Sequence, residues 1–171
     1  MSLFIIVILL IVGVIAGGIV NVLADELPHR RNPGLPTYPD GTPRPKKAWL
    51  GLTAFLLGMR TPPPEIVAQY SDEMKEKHKR RDTSKLSWRY PLVEIVTPIL
   101  MIANYVIMRD TPDINTPQMI LWIIYMAIFV LITVIDMEHK LILFVVMIPS
   151  GILAFIDALL LPTPLPTLES A

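Results

Sequence analysis

Apolar residues run without a charge from Leu3 to Ala24, 22 positions, and about 20 suffice to cross a bilayer. The run has no basic n-region, and no small-residue cleavage site precedes a soluble body, so it reads as a retained helix rather than a signal peptide. A polar stretch, Asp25 to Tyr90, follows. Within it Asn32 to Pro45, NPGLPTYPDGTPRP, is rich in proline and glycine and is expected to be irregular. Ala48 to Met59 is apolar but too short to span, which predicts an interfacial or half-buried segment. Thr61 and the prolines after it open a helix with Glu65 in its first turn. Ile66, Tyr70 and Met74 mark its apolar face, and it ends in the basic run Lys75 to Arg81.

Apolar character returns at Pro91 to Met108, with Pro98 as an expected kink and Trp88, Arg89 and Tyr90 placed like interfacial anchors. After a short turn, Thr116-Pro117 opens a third helix to Ile135. A polar step, Asp136 to Lys140, separates it from a fourth, Leu141 to Leu161, which holds Pro149 and Asp157. The pattern predicts an all-α integral membrane protein of about four transmembrane helices. It divides into helix 1 (1–24), a basic loop with short interfacial and amphipathic helices (25–90), a three-helix bundle (91–161) and a proline-rich tail (162–171).

Composition adds orientation. The 171 residues are 53% hydrophobic, with mean hydropathy +0.54, beyond an ordinary soluble domain. Net charge is zero, yet 13 of the 15 Lys and Arg lie from Arg30 to Arg89, the exceptions being Arg109 and Lys140. The positive-inside rule then makes the loop cytoplasmic and both termini external in a bacterial inner membrane. With no cysteine and three scattered histidines (His29, His78, His139), neither a thiolate nor a histidine-rich metal site is expected, and no cofactor. The expected partners are the lipid bilayer and other integral membrane proteins, with nothing pointing to nucleic acid.

Four helices of this topology bring Asn21, Glu94 and Asp136 to one depth near the cytoplasmic face. An ionisable group there is a functional candidate, although Asp136 also stands where a helix leaves lipid for water. Gly13 and Gly17 form a small-xxx-small pair for helix packing. Asn21 and Glu94 are expected to be structural, Glu94 taking Arg89 or a backbone group as its partner.

The residues GGIVNVLADELP (17–28), SWRYPLVE (87–94) and IDMEH (135–139), followed by Pro149, together resemble the prepilin peptidases. These are membrane aspartyl peptidases of type IV pilus systems. The resemblance implies Asp136 as the first catalytic aspartate, a prepilin as substrate and an active site at the cytoplasmic boundary. The departures are specific. Leu143 and Phe144 stand where the family has Pro-Asp, Glu26 replaces an arginine, and the loop lacks the two Cys-x-x-Cys pairs of zinc-binding members. The family's second aspartate lies in a downstream Gly-x-Gly-Asp motif, and this sequence has no glycine after Gly151.

An aspartyl peptidase needs two carboxylates sharing a proton, one activating water and the other polarising the carbonyl. Glu138 would point away from Asp136, and Asp157 lies about four to five turns along its own helix. The expectation is therefore a non-catalytic accessory or scaffold subunit of a larger membrane complex. The alternatives are a split peptidase completed by a second chain, and a prepilin-binding decoy.

Overall fold

Residues 3–30, 32–64, 85–109, 116–139 and 144–160 are described by the structure, a computed structural model. They are mostly helical and form no strands; Thr37 and Pro43 make an isolated antiparallel bridge. The helices are α1 (Leu3–Glu26), α2 (Gly51–Leu56), α3 (Arg89–Met108), α4 (Thr116–His139) and α5 (Phe144–Leu160). Short 3-10 turns occupy Leu27–His29 and Lys46–Ala48. The helix expected to carry Ile66, Tyr70 and Met74 lies outside the described residues, as do the basic run after it and the tail.

Among the described residues three helices are long and apolar enough to cross a membrane: Leu3–His29, Arg89–Met108 and Thr116–His139. The fourth apolar stretch contributes a shorter helix, Val146–Leu159, with Pro149 inside α5. The third helix continues beyond Ile135, so Asp136 to His139 form its last turn rather than a break. An ion pair from Glu138 to Arg89 of α3 ties that turn to the bundle.

The most extensive contact joins α1 to α3. Its register follows from residue size. A Cβ on Gly13 would run into Pro98, and one on Gly17 would lie 2.7 Å from Glu94 Cα. One turn further, Asn21 Nδ2 donates to the Tyr90 carbonyl at 2.9 Å. Steps of four up α1 (13, 17, 21) thus meet steps of four down α3 (98, 94, 90), an antiparallel match of i, i+4 ridges. Glycine at the crossings lets the backbones approach closely. Pro98 sits within α3 without ending it, and Thr97 Oγ1 donates to Val93 O at 2.8 Å beside it.

Along α1 the small and polar Gly13, Gly17, Asn21 and Ala24 face inward with Leu9 and Val20, whereas Leu3, Phe4, Leu10, Ile11, Ile15 and Ile19 face outward. The main core gathers Val20, Ala24, Val93, Val130, Leu131, Val134, Ile135 and Val146 from four helices. A second small core lies within the polar stretch: Tyr38, Ala48, Ala54, Leu86 and Tyr90. It gives the proline-rich segment and α2 a fixed seat on the start of α3.

Candidate functional site

The loop core, the end of α1, the start of α3 and the end of α4 meet at one end of the bundle, where the charged side chains of Asp25, Arg44, Arg89, Glu94 and Glu138 lie. Glu94 is 1% exposed. Its Oε1 accepts the Gly51 backbone N–H at 2.6 Å, and its Oε2 accepts that of Leu52 at 2.7 Å. Asn21 Nδ2 adds a longer contact to Oε1 at 3.4 Å. The first N–H groups of a helix have no partner within it, so Glu94 supplies from α3 what no side chain near α2 provides. Gly51 permits this approach, since a Cβ there would sit 2.5 Å from Tyr90 Cβ. The partner of Glu94 is thus backbone rather than Arg89.

Arg89 is used elsewhere. Its Nη2 donates to Asp25 Oδ1 at 2.8 Å, and its Nη1 pairs with Glu138. Tyr90 Oη donates to Asp25 Oδ2 at 2.7 Å, so both oxygens of Asp25 are engaged. Arg89 and Tyr90 are consequently held within the fold, and of the three residues at the start of α3 Trp88 alone is strongly exposed, at 71%. Arg44 lies buried beside this network, 4.6 Å over the Tyr90 ring and 6.0 Å from the Tyr38 ring, with Nε donating to Thr37 O at 2.8 Å. Burial draws its guanidinium below the ordinary value, opposed by Tyr90, Asp25, Glu94 and Tyr38.

Asp25, Pro39, Lys85, Ser87, Arg89, Tyr90 and Glu138 line a polar pocket of about 170 Å3. At the same end His29 meets His139 edge to face, with ring centroids 5.6 Å apart, and His29 Nδ1 lies 3.0 Å from Asp25 O. Among the described residues no group of three His, Asp or Glu is placed to hold a metal ion.

Asp136 is exposed in the last turn of α4. Glu138 is turned to Arg89. Asp157 of α5 neighbours Tyr125 of α4. Tyr125 precedes Asp136 by 11 residues, about 16 Å along a helix. Gly13 and Gly17 are helix-crossing residues only. The sequence reading missed Asp25, Tyr90, Arg44 and Glu138 as partners. A signal existed for Asp25: an acid directly after an apolar helix stands level with an Arg at the start of its antiparallel neighbour.

Compared with family models, curated proteins and solved structures, the chain matches none.

Proposed function

We propose that the chain is an integral membrane protein on a prepilin-peptidase-like plan, without peptidase activity by itself, acting as an accessory or scaffold subunit of a larger membrane assembly. Supporting membrane placement are the three long apolar helices and the many large apolar side chains that α1 turns outward. In a bacterial inner membrane the positive-inside rule places the basic loop in the cytoplasm.

One observation carries the non-catalytic reading. The carboxylates at the polar end are committed to holding the fold: Asp25 to Arg89 and Tyr90, Glu94 to the α2 backbone, Glu138 to Arg89. Asp136 is exposed beside none of them as a pair, and Asp157 stands with Tyr125. A proton-sharing dyad requires two carboxyl groups in contact. Removing one member of such a unit typically costs several orders of magnitude in rate. A bundle whose Asp25, Glu94 and Glu138 carboxylates are engaged within the fold, with apolar outer faces, suits a packing role.

A second reading keeps Asp136 as half of a split peptidase whose second aspartate comes from another chain. What favours it is that Asp136 stays exposed while its acidic neighbours are engaged.

The deciding experiment incubates the detergent-purified protein with a prepilin, alone and with any co-purifying chain bearing Gly-x-Gly-Asp. The expected result is a stoichiometric complex and no cleavage, unchanged by Asp136→Asn. Cleavage by the chain alone, abolished by Asp136→Asn, overturns the scaffold reading; cleavage only with the added chain establishes the split enzyme.

A further inference from the structure

Between α1 and the proline-rich segment lies a groove of about 290 Å3. One wall is the outer face of α1, with Ile15, Gly18, Ile19, Val22 and Leu23; the other is Pro33, Gly34, Pro36, Trp49 and Leu50. The lining is almost wholly apolar. Gly18 shapes its floor, for a Cβ there would lie 2.7 Å from Leu50 Cδ2. Trp49 is 39% exposed, its indole N–H donating to Arg44 O at 3.2 Å.

The charge around the groove is one-sided. Lys46 and Lys47, exposed, open the short 3-10 turn that ends at Ala48, just before Trp49 and Leu50, and among the described residues neither has a carboxylate partner. Arg30, exposed, stands in the turn joining the Leu23 wall to the Pro33 wall. Arg30 thus stands toward the Leu23 end of the groove, and Lys46 and Lys47 lie two to three residues before its Trp49 wall. From Leu23 to Ile15 the apolar wall then descends α1 for about 12 Å, away from the charged end.

We propose that this groove holds an acyl chain of an anionic phospholipid whose headgroup phosphate rests against Lys46 and Lys47. The lining favours a lipid chain: an almost wholly apolar groove with cations beside it suits one extended hydrocarbon chain under a phosphate. The charge gradient matches the lipid, with phosphate at the cations and hydrocarbon at Ile15 and Ile19. An indole at the headgroup level is the usual interfacial position of Trp. This site rests on the membrane placement proposed above.

Trp49 supplies its own reporter. In a Trp88→Phe, Trp122→Phe background, the protein is reconstituted in vesicles containing phosphatidylglycerol or phosphatidylcholine with brominated acyl chains, and quenching of Trp49 is measured. Each lysine near an anionic surface changes partitioning by about fivefold, so phosphatidylglycerol is expected to quench at roughly fivefold or more lower mole fraction. Lys46→Gln with Lys47→Gln should equalise the two lipids. Gly34→Phe should abolish the preference by filling the groove; its Cβ has open space, so the fold is retained, as an unchanged melting temperature would verify. Equal quenching by both lipids in the parent, or a preference that survives either change, overturns the site. So does a Trp49 shielded from both lipids, which would place a protein chain in the groove. Failure to float with vesicles overturns the membrane placement and the site together, whereas flotation without preference overturns the site alone.

Discussion

Glu94 of α3 and Gly51 of α2 are joined by a 2.6 Å hydrogen bond from the Gly51 backbone N–H to Glu94 Oε1. The contact fixes a loop helix of six residues onto a long helix through a side chain 43 positions away. Buried donors left unpaired cost about 1–3 kcal/mol each. Glu94→Ala leaves the Gly51 and Leu52 N–H groups without their acceptor, while Asn21 keeps the Tyr90 carbonyl, so with Leu52 only half-buried a loss of about 2–4 kcal/mol is expected. Glu94→Gln retains an acceptor and should lose about half as much. Thermal unfolding in detergent measures both; a Glu94→Ala curve superimposable on the parent would show that the carboxylate does not hold α2.

The hydropathy pattern made the long helices legible because each is apolar over a length that no loop imitates. It also placed Asn21 and Glu94 at one depth, since both stand near the loop ends of their helices. The loop core was not legible. Tyr38, Arg44 and Leu86 lie in a segment without period, and only the folded chain brings them to Tyr90. The extent of α4 was misjudged at Asp136 because a run of polar residues after an apolar one reads as an exit, whereas Glu138 finds Arg89 and keeps the helix wound.

Gly17 offers a test of the α1–α3 crossing. An added Cβ meets Glu94 Cα at 2.7 Å and Val93 O at 3.1 Å, both backbone atoms that cannot swing aside. Overpacking of this kind costs about 1–3 kcal/mol. Gly17→Ala should therefore lower the melting temperature, and Gly34→Ala, with no atom within 4 Å, should not. Equal effects would refute the close crossing.

Asp25 and Glu138 both pair with Arg89 but differ in exposure, their side chains being 11% and 35% exposed. Exposed ion pairs contribute about 0–1 kcal/mol. Breaking a buried one costs about 3 kcal/mol or more. Asp25→Ala should accordingly destabilise by about 2–3 kcal/mol, softened because Arg89 retains Glu138, and Glu138→Gln by less than about 1 kcal/mol. Denaturation of the two variants side by side checks the order; the reverse order would assign the anchoring role to Glu138.

Tyr38 predicts an alkaline limit for the loop core. Burial raises its phenol above the ordinary 10.0, Arg44 lowers it and Asp40 raises it, with a net upward shift. Just above pH 10 the unfolded chain has released this proton while the folded chain keeps it. The unfolded state then binds fewer protons, so stability falls as pH rises. The contribution is complete below pH 10 and disappears progressively above it. Tyr38→Phe should flatten the difference in melting temperature between pH 9 and pH 11 relative to the parent, while losing the bond from the hydroxyl to Met59 O at 3.0 Å. An unchanged pH slope in the variant would remove Tyr38 from the titration.

Orientation is testable because the chain has no cysteine, so any introduced thiol is the sole label site. The antiparallel pairing of α1 and α3 puts Leu27 and Trp88 at one end of the pair and Met108 at the other. Among the described residues the cations Arg30, Arg44, Lys46, Lys47, Arg60, Lys85 and Arg89 belong to the first end and Arg109 to the second. Basic residues near membrane helices remain cytoplasmic. An impermeant maleimide applied to intact cells should therefore miss Lys47→Cys and modify Arg109→Cys, and lysis should expose Lys47→Cys to the reagent. Lys47 is exposed and its side chain caps nothing, so the substitution leaves the fold intact. Labelling of Lys47→Cys but not Arg109→Cys in intact cells would invert the topology and place Asp136 and the whole charged end of the bundle outside the cell.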